Sequence, residues 1–360
     1  MHPHSPIVPR RNFTLGSLPK NPYIAYMRIV FTALTVLTVL AGFVLFVAFF
    51  YAQSLLIKPL ALGQDTVILE VPAGQSYNGL IDKLEINTYL APRAALALKI
   101  YGKISPDRTL IKAGEYKLRS GMSALHVLDK LGEGDVYIRS FTVPEGQTSW
   151  QIVQQLNAIE PLSGTIETIP PEGSLLPETY HYARGDDRAA KIKRMQEAMQ
   201  KTLDTAWNEH AKNLPIKTKE EALILASIIE KETGVAGERK KVAGVFTNRL
   251  NIGMALQTDP TVIYALTLGV IEDEGKGPLG RRLLRKDLQI DSPYNTYRYP
   301  GLPPGPIANP GRASIEAALN PAEHDYLYFV ADGTGGHAFG KTLADHNANV
   351  AKWRKIRKAQ

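Results

Sequence analysis

The segment KTKEEALILASIIEKETG, from Lys217 to Gly234, predicts a helix around which a core can form. Thr218 and Glu221 have the spacing of a capping box at a helix start, and Gly234 suits the left-handed turn that ends a helix. The apolar residues between them, placed at about 100° per residue, cover nearly the whole circumference. We therefore expect a helix that is buried on most sides.

One carboxylate, Glu230, falls within this apolar surface, beside Leu223, Ala226 and Ser227 on the helical wheel. It also lies in the last turn, where the helix dipole is negative, so desolvation and the dipole should both raise its pKa. A carboxyl that stays protonated near neutral pH can serve as a general acid. The alternative is a solvated Glu-Lys-Glu helix end. Glu232 is the second candidate acid, about 160° away on the wheel.

Composition and charge limit the function classes. A length of 360 residues suggests two domains, and the absence of cysteine excludes disulfides and thiolate metal sites. The net charge of +7 is concentrated at the two ends of the chain, and the segment between them is slightly acidic. A basic groove is therefore not expected, and neither is a nucleic-acid partner.

The N-terminal region predicts a membrane anchor. Residues 1–28 are polar, Pro-rich and basic, which predicts a poorly ordered cytoplasmic tail. Residues 29–51 carry no charge and are long enough, at about 1.5 Å each, to cross a hydrocarbon core of about 30 Å. The preceding basic residues place this end in the cytoplasm and the rest of the chain outside. A cleaved signal peptide and a buried core helix are the alternatives.

The rest of the chain predicts an α+β fold in two parts. After a linker at residues 52–65, residues 66–142 alternate strand and helix patterns and predict a small α+β module. The sequence VPAGQS at 71–76 recurs as VPEGQT at 143–148. Residues 143–358 predict a larger mixed α+β domain, in which 162–185 is a connection, 269–311 a functional loop and 326–339 a hairpin.

The polar residues favour a carbohydrate cleft over other sites. The histidines form no metal-binding pattern, and the chain contains no GxSxG elbow and no Gly-rich phosphate loop, so we expect no metal or cofactor. What remains is one carboxyl and loops rich in amides and tyrosines. The candidate substrate-binding residues are Gln257, Asp259, Tyr294, Asn295 and Tyr297. A helix N-cap is the alternative role for Asp259, and loop packing is the alternative for Tyr297.

Several unusual motifs occur together and in order. They are ASIIEKET at 226–233, VFTNRL at 245–250, GMALQTDPTVIYA at 253–265, SPYNTY at 292–297, GLPPGPIANPG at 301–311 and YLYFVADGTGGHAF at 326–339. In these motifs the chain resembles the endolytic murein transglycosylases, the YceG-like family. The resemblance is strong from about residue 143 to 350 and weaker over 66–142, where the family has a LysM-like module.

The resemblance implies that Glu230 is the catalytic acid and base. The implied reaction cuts the β-1,4 bond between N-acetylmuramic acid and N-acetylglucosamine in nascent peptidoglycan strands and leaves a 1,6-anhydro end, which would terminate strand growth. It also implies an inner-membrane protein with its catalytic domain outside the cytoplasm, beside peptidoglycan synthases (penicillin-binding proteins). The alternatives are a non-catalytic peptidoglycan-binding or synthase-scaffold protein, and a hydrolase that uses Glu230 with Asp259.

Overall fold

The structure, a computed structural model, describes residues 22–271 and 278–359 and confirms the mixed α+β fold. The chain divides into two units between Asp135 and Val136. Within the described residues, the strands form three separate two-stranded antiparallel sheets.

The first unit combines a long helix with a small α+β module. Its elements are α1 (Pro22–Ile57), β1 (Thr66–Val71), α2 (Tyr77–Ile86), α3 (Pro92–Ile104), β2 (Gly114–Arg119) and α4 (Ala124–Glu133). Strands β1 and β2 pair with Val71 opposite Gly114, and α2 and α3 lie between them in sequence. The predicted strand and helix patterns of this unit are confirmed, whereas the LysM-like assignment stays a prediction.

Helix α1 is apolar and long enough to cross a membrane, over Tyr26–Ile57. It begins before and ends after the predicted span. Pro22–Arg28, expected to be poorly ordered, is helical, and so is the first part of the expected linker, through Ile57. The helix continues after residue 51 because its last turns pack on the module, where Leu56 is buried. Residues 1–21 of the expected tail lie outside the described residues.

The second unit is built on helices, with two small sheets. Its elements are β3 (Arg139–Thr142), α5 (Ser149–Asn157), β4 (Thr179–Tyr182), α6 (Arg188–Asn208), α7 (Lys219–Glu232), α8 (Arg239–Asn251), α9 (Asp259–Thr267), α10 (Arg312–Leu319), β5 (Tyr328–Ala331), β6 (His337–Gly340) and α11 (Leu343–Ala359). Helix α7 packs against α6, α8, α9 and α10, so it lies at the centre of this unit.

The burial of α7 is confirmed, with every residue from Ile224 to Ile229 buried. At its start the Thr218 hydroxyl accepts a hydrogen bond from the Glu221 N–H, as a capping box requires. The Glu221 carboxylate, however, accepts from the N–H of Lys217 and not from the N–H of Thr218, so the box is only half formed. The predicted end at Gly234 is wrong. The helix ends at Glu232, and Thr233 is an extended C-cap with φ −142°, so no left-handed residue is needed.

The two similar hexapeptides have the same local structure. Each follows a strand and precedes a helix, with Gly74 at φ +79° and Gly146 at φ +78°. In each, the last residue caps the helix: Ser76 accepts from the Gly79 N–H, and Thr148 from the Gln151 N–H. The sequence repeat therefore encodes one strand–turn–helix unit that is used twice.

Two expectations about loops need correction or completion. The segment 162–185, predicted to be a connection, contains β4, which pairs with β3 and places Phe141 opposite Tyr180. Its pairing was missed because Pro and Gly surround a strand of four residues.

The long loop at 269–311 has little regular structure, as predicted, and residues 272–277 lie outside the described residues. The predicted hairpin is confirmed as β5 and β6, with Val330 opposite Ala338.

Candidate active site

The end of α7 places two carboxylates in different surroundings. Successive residues of a helix point about 100° apart, so Glu230 and Glu232 lie on nearly opposite sides. Only the surroundings of each side chain can decide which one faces a possible substrate.

Glu230 is covered by the loop that follows β3. Its side chain is 5% exposed, and Oε2 accepts a hydrogen bond of 2.9 Å from the Gly311 N–H. Its Oε1 lies 3.8 Å from Nη2 of Arg239, which also contacts Glu145 at 3.2 Å. The chain passes close to it, because a Cβ added at Gly146 would lie 3.6 Å from Glu230 Cγ. This polar, ion-paired setting differs from the apolar one that the helical wheel predicts.

Glu232 faces a cavity of ≈ 470 Å³. The cavity lies between the C-terminal end of α7, the N-terminal end of α9, helix α8, the hairpin of β5 and β6, and α11. Its lining combines polar, aromatic and aliphatic residues, namely Glu232, Phe246, Arg249, Leu256, Gln257, Thr258, Asp259, Tyr297, Tyr328, Phe329, Val330, Ala331, His337, Leu343 and His346. The structure therefore brings three predicted binding residues together with Glu232, and not with Glu230.

The surroundings of Glu232 favour its protonated form. Burial raises the pKa of the carboxyl most, and the nearby charge of Asp259 raises it further. A hydrogen bond from the Thr258 hydroxyl to Oε1, and the charges of His337 and Arg249, act in the opposite direction on this pKa. The net effect is a raised pKa of the Glu232 carboxyl, and a raised pKa favours the role of general acid.

The wall beside Glu232 is held by direct contacts. The Tyr297 hydroxyl donates a hydrogen bond of 2.7 Å to Asp259 Oδ1, and burial and this bond raise the pKa of Tyr297. Thr258, not Asp259, is the N-cap residue of α9, so capping does not explain Asp259. Gln257 is exposed and has φ +48°, which is rare for a residue with a side chain and is typical of functional sites.

Two predicted binding residues have other roles. Asn295 is fully buried, and its side-chain amide donates to the carbonyls of Leu288 and Ile290. It organises the SPYNTY loop, and a contact between Asn295 and a sugar stays a prediction. Tyr294 packs on Tyr264, with ring centroids 4.8 Å apart, and is not among the residues that line the cavity. Loop packing therefore describes Tyr294, which was expected to bind substrate.

Sequence reasoning missed two further polar residues of this cavity, Arg249 and His337. Arg249 donates to the carbonyls of Leu327 at 2.7 Å and Leu256 at 2.6 Å. His337 is held twice by Glu238, through its backbone N–H and its Nδ1. The signal for Arg249 was its place in VFTNRL, where a charge interrupts an apolar helix face.

Nothing among the described residues forms a cluster of three or more His, Cys, Asp or Glu side chains that could hold a metal ion. A partly shielded acid beside amide, hydroxyl and aromatic groups can bind a polar substrate and transfer a proton to it.

Comparison with known proteins identifies similar chains. The sequence model of the YceG-like family matches residues 69–352. A relative from Bacillus subtilis (strain 168), named endolytic murein transglycosylase, is 35% identical over 338 residues, which cover 85% of this chain and 90% of the relative. Relatives of the same name from Streptococcus pneumoniae are 31% identical over 306 residues. These alignments cover 71% of this chain and 53% of each relative.

A solved structure is also similar. The crystal structure of a YceG-like protein from Listeria monocytogenes is 33% identical to this chain, and the alignment covers 79% of this chain and 99% of that one, with a TM-score of 0.47.

Proposed function

Because the chain belongs to the YceG-like family, we propose that it is an endolytic murein lytic transglycosylase with Glu232 as its acid and base. Its substrate would be the glycan strand of peptidoglycan, the murein that its relatives' names contain. The observation that carries the proposal is the position of Glu232, a shielded carboxyl with a raised pKa in a cavity that also contains Gln257, Asp259 and Tyr297.

In the first step, protonated Glu232 gives its proton to the oxygen between N-acetylmuramic acid and N-acetylglucosamine. Since Thr258 donates to Oε1, the transferable proton would lie on Oε2. The bond from C1 of the muramic residue to that oxygen breaks, and the N-acetylglucosamine side leaves with a hydroxyl. Glu232 is then an anion, which the charge of Arg249 stabilises.

In the second step, the C6 hydroxyl of the same muramic residue bonds to C1 and closes a 1,6-anhydro ring. Its proton goes to the Glu232 anion, so the acid is restored and no water is consumed. One carboxyl suffices because the attacking hydroxyl belongs to the substrate and has a high effective concentration. Hydrolysis by two carboxylates needs a second group to activate water or to attack.

The cavity wall supplies contacts of the kind that sugars need. Gln257 presents an exposed amide, and the Asp259–Tyr297 pair presents a carboxylate with a fixed direction. The ring of Tyr328 and the side chain of Phe329 supply flat apolar surface on the hairpin side. These groups can bind the hydroxyl and acetamido groups and the apolar faces of a disaccharide.

One observation favours hydrolysis as a second candidate function. Asp259 lies near enough to Glu232 to raise its pKa, so the cavity contains two carboxyl groups. Such a pair could activate water in place of the C6 hydroxyl. The hydrogen bond from Tyr297 to Asp259 weakens this alternative, because it uses one oxygen of the carboxylate that would serve as the base.

The proposal includes a membrane location. Helix α1 would anchor the chain in the inner membrane, with the basic residues before it in the cytoplasm and the cavity outside. An anchored enzyme would meet new strands where peptidoglycan synthases release them, so we include these enzymes as proposed partners.

The ends of the released glycans test the chemistry. We expect the full chain, digesting purified peptidoglycan in water labelled with heavy oxygen, to release internal fragments that end in 1,6-anhydro-muramic acid and carry no label. Mass spectrometry separates these from hydrolysis products, which contain one more water and the label. Labelled reducing ends would contradict the transglycosylase and support the Glu232–Asp259 hydrolase, and no cleavage at all would support a binding protein.

A further inference from the structure

Helix α3 has an apolar face that the described residues of the first unit, from Pro22 onward, leave uncovered. Its buried face packs through Ala94, Ala95, Leu98 and Gly102. On the other side, Leu96, Ile100 and Ile104 are 60%, 50% and 75% exposed. Their spacing of four residues places them in one row along the helix. Three large aliphatic side chains in a row are more than the scattered exposed residues of an ordinary surface.

The same face is basic. Arg93 and Lys103 are exposed and lie on the side of Leu96 and Ile100 when the helix is drawn at 100° per residue. No acidic residue occurs in α3. Lys99 is directed away from this row, because its Nζ forms an ion pair of 2.5 Å with Asp82 of α2. A row of aliphatic side chains beside cations is the pattern of helices that lie in the surface of an anionic membrane.

The face also adjoins the apolar helix of the same unit. Helix α1 contacts α3, and Arg93 Nη1 lies 3.4 Å from the hydroxyl oxygen of Tyr51. If α1 spans a bilayer from about residue 29, Tyr51 falls at the level of the headgroups, where Tyr is enriched. The start of α3 then lies at the same level. Within the described part of the chain, no protein covers the side chains of α1 through this span.

We propose that the exposed face of α3 docks on the bilayer that α1 spans. Leu96, Ile100 and Ile104 would enter the boundary between headgroups and acyl chains, and Arg93 and Lys103 would bind anionic phosphates. This proposal rests on the proposed role of α1 as an anchor. Its consequence is that the first unit is held against the membrane surface by two contacts, rather than by the anchor alone.

Lipid is favoured over a protein as the occupant of this face. A partner protein or a second copy would have to reach a row that begins beside Tyr51, where the headgroups already lie. The cations of the face match the phosphates of an anionic leaflet, and α3 offers no acid to a basic partner.

The absence of cysteine makes a direct test possible. Ile100→Cys in the full chain gives one site for an environment-sensitive fluorophore, after reconstitution into vesicles of phosphatidylethanolamine and phosphatidylglycerol. Leu40→Cys, within the span of α1, tests the anchor separately. Ile252→Cys, an exposed apolar position in the second unit, is the control for an aqueous label. Lipids with nitroxides at shallow and deep positions report contact with the bilayer.

We expect the label at residue 100 to shift to the blue and to be quenched several-fold more by shallow nitroxides than the label at 252, while the label at 40 is quenched by deep ones. Quenching at 40 but not at 100 would overturn docking and leave the anchor intact. A blue shift at 100 without quenching by lipid would also overturn it, because protein would then cover the face. Absence of quenching at 40 would overturn the anchor and the docking together.

Discussion

Burial raises the pKa of Glu172 to about 7 in a cluster beside the end of α7. Its Oε1 accepts a hydrogen bond of 2.9 Å from the Ser149 N–H, and Oε2 is buried with no hydrogen-bond partner among the residues that the structure describes. The charge of Lys231 lowers this pKa, but less than burial raises it. An unpartnered carboxylate oxygen is costly when it is ionised, so the folded chain favours the protonated acid.

This shift predicts a pH-dependent stability. The pKa of Glu172 is raised from about 4.5 to about 7 in the folded chain. The contribution of Glu172 to the free energy of unfolding is therefore fully present below about pH 4.5 and is lost as the pH rises to about 7. The loss is about 3 kcal/mol of unfolding free energy. We expect Glu172→Gln, which imitates the neutral acid, to remove this part of the pH dependence.

Chemical unfolding of the detergent-solubilised chain at about pH 5 and about pH 8 measures the effect. Glu178→Gln is the control, since the side chain of Glu178 is about half exposed and lies in the same segment. Equal pH dependence in the wild type and in Glu172→Gln would show that Glu172 is ionised in the folded chain throughout this range.

At the scale of single residues, the sequence identified the helix end that adjoins the cavity but not which of its two acids lines that cavity. The motif contains both Glu230 and Glu232. Because apolar residues surround nearly the whole helix, the helical wheel does not show which side of the helix faces a substrate. The direction that each side chain faces depends on which distant segments of the chain cover it, namely the loop at Gly146 for Glu230 and the hairpin for Glu232. The burial of Asn295 likewise depends on how its loop folds back on itself.

Arg249 joins three elements around the cavity. It projects from α8, and its guanidinium donates to Leu327, just before β5, and to Leu256, just before the strained Gln257. Its side chain also lies over the ring of Tyr328, with Cζ 5.4 Å from the centroid. These contacts fix two walls of the cavity to one helix, which makes Arg249 a positioning residue for Glu232 and Gln257.

We expect Arg249→Lys to lose this geometry, because one ammonium group cannot replace a planar guanidinium that binds two separate carbonyls. The cost in stability should be about 3 kcal/mol. Turnover should fall by about a hundredfold, as expected when catalytic groups are misplaced. Arg298→Lys is the control, since Arg298 is more exposed and donates to the carbonyl of Gln289 in a loop. Unchanged turnover in Arg249→Lys would contradict the positioning role.

At the scale of elements, long amphipathic or apolar patterns were predictable and short pairings were not. The helices α6 to α9 and the hairpin follow from periodicity, caps and turn residues. Strand β4 has only four residues, and its place is set by pairing with β3 rather than by its own pattern. The end of α7 differs from prediction because Thr233 turns extended before Gly234 is reached.

At the scale of the whole molecule, the distribution of charge and hydropathy was more informative than the totals. A net charge of +7 divides into basic ends and a slightly acidic middle, which agrees with a glycan substrate better than with nucleic acid. The apolar helix was predictable from composition alone. Its continuation to Ile57 was not, because that depends on packing against the first unit.

The central claim is that Glu232, and not Glu230, transfers the proton. The most direct measurement is the rate of glycan release from peptidoglycan by the full chain, compared with Glu232→Gln and with the matched Glu230→Gln. We expect Glu232→Gln to lose about a thousandfold in rate while it remains folded. Glu230→Gln should keep most of its activity, since its carboxyl contacts Gly311 and Arg239 away from the cavity. A folded Glu232→Gln variant with the activity of the wild type would contradict the account, as would a loss confined to Glu230→Gln.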